Sequence, residues 1–149
     1  MKTTIPPLSE YLSKKSYLKI KMHPIASNHF KIILKINRVK GLFILDTGAS
    51  SSFVDVKLGE KFKLNSEVSV IKARGAGPDT IDTLLSKNNM IQIGDWKKNQ
   101  VPIALIDLSY VNDAFDSIDA SPVDGILGAD ILKKGNAIID YEKRYLYLK

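Results

Sequence analysis

Leu42-Phe43-Ile44-Leu45-Asp46-Thr47-Gly48-Ala49-Ser50 is the stretch on which the reading turns. An apolar strand ordinarily ends in residues that water reaches, yet here a lone carboxylate follows directly on a buried run. Gly48 can let a backbone N–H approach that carboxylate closely and can adopt angles closed to other residues. Thr47 adds a hydroxyl on a stiff χ1, suited to a fixed hydrogen bond. The loop thus presents Asp46 partly desolvated and hydrogen-bonded, a setting that suits acid–base work. Upstream, residues 29–37 alternate apolar and polar with period two, and Arg38-Val-Lys-Gly turns the chain, so a hairpin with its second strand buried on both faces is expected. Downstream, Ser50-Ser-Ser reads as the start of a short helical stretch to about Leu58, with a serine N-cap.

Outward from this hairpin the chain is mostly strand-like. Residues 16–22 alternate. Residues 67–74 and 80–85 flank Gly75-Ala76-Gly77-Pro78, a glycine and proline density that marks a hairpin tip. Residues 90–93 and 100–106 form a further pair, and 108–118 are amphipathic enough for a short helix. Val123-Asp-Gly-Ile-Leu-Gly128 reads as a strand leading into a helix over 129–134, and 137–141 with 144–148 closes the chain as a hairpin. Residues 1–15 read as an N-terminal tail or helical lead-in, and 16–149 as a single mostly-β domain with one or two short helices.

The 149 residues suit one domain and leave no room for a two-lobed enzyme. No cysteine is present, which removes disulfides, thiolate metal sites and a cysteine nucleophile. His23 and His29 are the only imidazoles. No apolar run approaches a membrane span, and the first 20 residues lack a signal-peptide core, so a cytoplasmic protein is expected, with a removed anchor or signal segment left open. The net charge of +6 is uneven: residues 1–40 hold nine Lys or Arg against one acid, whereas Asp107 to Asp130 contains six Asp and no base. The lysines alternate with apolar residues as the solvent face of a strand would, and Arg, the usual base reader, is scarce. A solvated sheet face is therefore expected, not a nucleic-acid surface.

Asp-Thr-Gly alone is weak evidence, since it arises by chance in about one chain of this length in thirty. A strand-to-helix turn with an Asx cap competes for it. A second element lies 82 residues beyond Asp46: Ile126-Leu127-Gly128, two bulky aliphatics and a glycine, again between a strand and a helix. Together with the Gly-rich tip and the closing Ala137-Ile-Ile-Asp-Tyr…Tyr145-Leu-Tyr-Leu hairpin, these segments resemble the retropepsin-like aspartic proteases. The likeness covers most of residues 28–149 in the family's order. The chain length and the Gly-Ala-Asp after the aliphatic pair resemble the bacterial branch.

The resemblance implies a closed, barrel-like retropepsin fold and an endopeptidase active site on a two-fold axis. Each of two chains would supply one Asp-Thr-Gly, so the partners implied are a second copy and a peptide or protein substrate. No cofactor is implied. Two Asp46 carboxylates would share the work, one activating water and the other, protonated, polarising the scissile carbonyl. Thr47 would hydrogen-bond across the dimer axis, and Gly48 and Ala49 would meet the substrate backbone. Gly75, Ala76 and Gly77 would form a flap over the cleft, although an ordinary surface hairpin is an equal alternative for them. Ile126 and Gly128 would support the loop from beneath, with Leu127 lining a substrate subsite. Ala49 stands where two-lobed relatives carry a hydroxyl, which points to activity at mildly acidic to neutral pH. Asp130 would cap the final helix or pair with a base, and the dimer surface would be the closing hairpin or the N-terminal strand.

Other readings fit less well. Phosphate loops of actin-like and Hsp70-like ATPases share an Asp-x-Gly, but those proteins need a second lobe. The Walker sequence is absent. Aspartyl-phosphate enzymes want an acid where Gly48 stands. A non-catalytic peptide-binding module on the same fold stays open, because a fold does not guarantee its chemistry.

Overall fold

In the computed structural model, residues 4–68, 73–74, 80–81, 83–116 and 121–149 are described, without the side chains of 66–68, 73–74 and 80–81. Among the described residues, three α-helices, α1 (Leu8–Lys14), α2 (Ser109–Asp116) and α3 (Ala129–Lys134), accompany thirteen strands. The strands are β1 (Leu18–Lys21), β2 (His23–Pro24), β3 (Phe30–Ile36), β4 (Val39–Leu45), β5 (Phe53–Asp55), β6 (Ser66–Val68) and β7 (Ala73–Arg74). They continue as β8 (Thr80–Ile81), β9 (Leu84–Ile93), β10 (Trp96–Ile106), β11 (Gly125–Leu127), β12 (Ile138–Asp140) and β13 (Tyr145–Leu148).

The large sheet runs β2-β3-β4-β11-β5-β10-β9-β6, and β3 also pairs with β9. That extra pairing joins Lys35 to Gln92 and Ile36 to Ile91, so the ring from β3 round to β9 has no free edge. Closure is what a mostly-β chain needs to leave no long strand exposed for aggregation. Inward-facing Ile32, Leu34, Ile36, Phe43, Val54, Ile91, Ile103 and Leu127 fill the barrel. A separate sheet, β1-β13-β12, holds the closing hairpin against β1. Helix α1 does not hang free as a tail: it buries Leu12, whose carbonyl accepts the Tyr17 N–H at 3.0 Å.

Several boundaries differ from the sequence reading, each for a physical reason. The first hairpin turns at Asn37-Arg38, both with positive φ (49° and 71°), so Val39 and Lys40 already belong to β4. Such a two-residue turn matches the twist of its strands. The helix expected over 50–58 is instead β5 followed by one 3-10 turn, Val56–Leu58, capped by the Asp55 carboxylate and not by a serine. Phe53 and Val54 favour a pleated, buried surface, and Val54 is fully buried where β5 lies between β10 and β11. The β9–β10 hairpin is longer than its hydrophobicity indicates, because residues 97–100 are strand with every side chain in water.

The solvated-lysine expectation fails at one position. Lys35 is exposed, but Lys31 is 5% exposed and donates from Nζ to the Ser121 carbonyl at 2.7 Å. Burial pushes its amine below the ordinary lysine range. The cover comes from α2, whose Phe115 packs with Ile44 and Val123 outside the barrel. Asn112 fastens that helix by a reciprocal pair of hydrogen bonds to the Val123 backbone, 2.8 and 3.1 Å. Asp113 and Asp116 remain in water, whereas Asp124 accepts the Leu42 N–H at 2.9 Å and pairs with Lys61 at 3.6 Å.

Candidate active site

Asp46 follows the last residue of β4, whose neighbour is the parallel strand β11. Parallel pairing sets Leu45 beside Leu127 and Ile44 beside Ile126. The ladder then runs one bond further: the Asp46 N–H donates to the Leu127 carbonyl at 3.0 Å. The chain next turns tightly, with the Ala49 N–H on the Asp46 carbonyl at 3.2 Å. Within this turn the Gly48 N–H donates to Asp46 Oδ1 at 2.9 Å. A Cβ on Gly48 would lie 3.2 Å from that oxygen, so glycine keeps the approach open. Asp46 is half-buried and Thr47 and Gly48 are exposed, which leaves the carboxylate oriented but reachable.

The two sequence elements meet here. The Ala129 N–H donates to the Ala49 carbonyl at 2.7 Å, and the Gly128 N–H donates to Ser52 Oγ at 2.8 Å. Gly128 has no room for a side chain: a Cβ would fall 2.6 Å from the Ser51 carbonyl oxygen and 2.8 Å from that of Ala49. Gly125 is as constrained, against Phe43 and the Phe53 carbonyl. The glycines around Ile126-Leu127 are thus there because the two segments touch backbone to backbone.

Of the expected site residues, the structure brings Asp46, Thr47, Gly48, Ala49, Ile126, Leu127 and Gly128 into one junction. Leu127 does not line a groove there. It is 1% exposed and belongs to the barrel core, because strand alternation turns it inward beside Leu45. Ile126 points to the opposite face and is half-buried, so it is the member of the pair that solvent reaches. Gly75, Ala76 and Gly77 lie outside the described residues; on either side of them Ala73 pairs with Ile81 and Arg74 with Thr80.

Thr47 lines one end of an open groove of about 370 Å³ formed with Ala129, Leu132, Lys133, Asn136, Ala137 and Ile139. Nothing in the sequence pattern marks this groove, since its walls come from the Asp46 loop, a helix and a strand edge. Asp130 does not cap α3, whose N-cap is Gly128 with no side-chain cap bond; it lies in the first turn, where its Oδ1 accepts the Ile131 N–H at 2.8 Å and the Ser52 hydroxyl at 2.7 Å.

A family model described as aspartyl protease matches residues 32–131, which spans the barrel strands and both halves of this junction. The chain belongs to the aspartyl protease family. Similar solved structures agree on the retropepsin fold. A retropepsin-like aspartic protease from Rickettsia conorii is 18% identical with a TM-score of 0.60, over 89% of this chain and 90% of that one. EIAV protease, complexed with the inhibitor HBY-793, is 20% identical with a TM-score of 0.58, over 79% and 98%. The retroviral protease-like domain of Ddi1 from Leishmania major is 18% identical with a TM-score of 0.56, over 80% and 86%. No curated protein sequence matches significantly. Among the described residues, no helix is long and apolar enough to cross a membrane.

Proposed function

We propose that this member of the aspartyl protease family is an endopeptidase whose active site forms when two chains bring their Asp46 carboxylates together. The observation that carries the reading is the Asp46 loop: one reachable carboxylate at a strand end, held by the Gly48 N–H, in a chain with a single Asp-Thr-Gly. One carboxylate cannot act at once as base and acid on the same peptide bond, whereas two can. Like charges about 3 Å apart cannot both ionise, so a pair of identical residues splits into an acid and a base. The ionised Asp46 takes a proton from water as its oxygen bonds to the scissile carbon. The protonated Asp46 gives its proton to the carbonyl oxygen. Collapse of the tetrahedral species breaks the C–N bond, and the leaving amine takes a proton from a carboxyl.

The groove beside Thr47 is the proposed dimer face. It abuts the Asp46 loop and is walled by Ala129, Leu132, Ala137 and Ile139 with Lys133 and Asn136 among them, so a second copy seated there brings the two loops face to face. The flap role of residues 75–77 belongs to the same proposal.

One observation favours a second reading, a monomeric peptide-binding module. The C-terminal strand β13 has both edges occupied within its own chain, Leu18 opposite Leu148 on one side and Ile138 opposite Tyr147 on the other. β13 therefore has no side left for a partner's strand, while β1 and β12 are the outer strands of this sheet. Sedimentation and peptide cleavage decide between the two. A dimer whose cleavage is lost in Asp46→Asn supports the protease, and a strict monomer that binds but does not cut peptide supports the module.

A further inference from the structure

Ser52 is 5% exposed, and its hydroxyl stands between segments that are far apart in sequence. Its Oγ accepts the Gly128 N–H at 2.8 Å and donates to Asp130 Oδ1 at 2.7 Å. The same carboxylate oxygen accepts the Ile131 N–H at 2.8 Å. A hydroxyl has one proton to give and lone pairs to receive, so this pair of bonds fixes the rotor. The bond to the carboxylate is charge-assisted and short, the stronger kind. On either side run the Ala129-to-Ala49 and Asp46-to-Leu127 backbone bonds, 2.7 and 3.0 Å.

We propose that Ser52 and Asp130 are positioning residues for the Asp46 loop; the proposal rests on the two-chain protease reading above. Ser52 ends the loop that Asp46 begins, and Asp130 opens the helix that follows Gly128. Their bond fixes the far end of the loop to the β11–α3 junction, as the Asp46 N–H fixes the near end. Without it, the loop keeps the backbone bonds at Asp46 and Ala49 and a long one, 3.4 Å, from the Ala104 N–H to the Ser52 carbonyl. In a two-fold dimer the same looseness occurs in both copies, so a displacement of one loop is mirrored by its partner and the error in carboxylate separation doubles. Proton sharing tolerates little error, on the order of 0.5 Å. The strut therefore acts on turnover more than on substrate binding.

The test compares Ser52→Ala and Asp130→Ala with Ser52→Thr and Asp130→Asn, which keep the hydroxyl and the accepting oxygen. Assays run well below each melting temperature, at concentrations giving equal dimer fractions by sedimentation. The alanine variants are expected to lose about 10- to 100-fold in kcat with KM within about twofold, and the conservative variants to recover most of it. Wild-type kcat in Ser52→Ala, or a loss matching only the unfolded fraction, overturns the proposal. Amide exchange supplies a readout independent of cleavage. Asp46, Gly128 and Ala129 should exchange faster in the alanine variants, while amides of β1 and β13 keep wild-type protection. Unchanged loop exchange overturns the strut even if the wild type cuts peptide. A wild type that does not cut, with loop exchange still accelerated in Ser52→Ala, removes the protease reading and leaves the strut in place.

Discussion

The backbone N–H of Asp46 donates to the carbonyl of Leu127 at 3.0 Å, which makes the first residue after β4 a dependant of the last residue of β11. The carboxylate's place in space is thereby set by a residue 81 positions away in sequence. The parallel pairing of β4 and β11 puts the two loops side by side, and Gly128 lets them close.

Asp46→Asn should abolish peptide cleavage while leaving the fold intact. An amide oxygen still accepts from the Gly48 N–H, but it neither takes a proton from water nor gives one to a carbonyl. A fall in kcat/KM of about a thousandfold or more is expected, with thermal unfolding within a few degrees of wild type. Residual cleavage at a tenth of the wild-type rate would remove Asp46 from the mechanism.

Gly128→Ala should destabilise the chain sharply. The added methyl would lie 2.6 and 2.8 Å from two backbone carbonyl oxygens, and backbone does not move aside as a flexible side chain does. A loss of about 2–4 kcal/mol by urea unfolding is expected, the range of severe overpacking. Gly59→Ala serves as a control, because there the contact at 3.3 Å is the end of a leucine side chain. Equal stabilities for the two variants would refute the close-contact account.

Ile139→Glu should separate the dimer without unfolding the chain. Ile139 is half-buried in the groove beside Thr47, so a carboxylate there is tolerated in water and opposed in an apolar interface. Sedimentation is expected to show a dimer dissociation constant raised at least about tenfold, with activity restored at high concentration. An unaltered dimer would move the interface elsewhere.

Tyr147 should make the fold alkali-sensitive. It is 2% exposed, and burial first, then the charge of Asp140 and the neighbouring Tyr145, push its phenol above the ordinary value of 10.0. The unfolded chain ionises this phenol at lower pH than the folded one. The stability it supplies is therefore complete below pH 10.0 and is lost as pH rises through the folded value. Lys31 works in the opposite sense, because burial lowers its amine and alkali relieves that penalty. Comparison with Tyr147→Phe isolates the phenol: between about pH 9 and about pH 11, wild type should lose more stability than the variant. Parallel curves would contradict the assignment.

Much of the fold was legible because strand periodicity is a local signal. The alternation in β1 and β3, the apolar run of β4 and the closing hairpin all read correctly from side-chain order. Phe53-Val54 misled because three serines before it mimic a helix cap, and only the gap between β10 and β11 makes the segment a strand. Residues 97–100 misled because a hairpin with polar side chains carries no hydrophobic pattern. Lys31 looked solvated because its cover, α2, is contributed by a distant segment. At the site, Leu127 is core where a subsite position was expected, for one reason: which of two successive strand residues faces inward depends on the neighbouring strand, and β11 takes its facing from β4.

By itself the sequence determined the carboxylate, the glycine beside it and the aliphatic-Gly partner element, since each follows from residue type. Only the tertiary structure decided that Ser52, among three consecutive serines, is the one buried against Gly128 and Asp130. It alone made Thr47 part of a groove shared with α3 and β12. Both outcomes depend on strand register and barrel closure, which arise from contacts between segments distant in sequence and leave no periodicity along the chain.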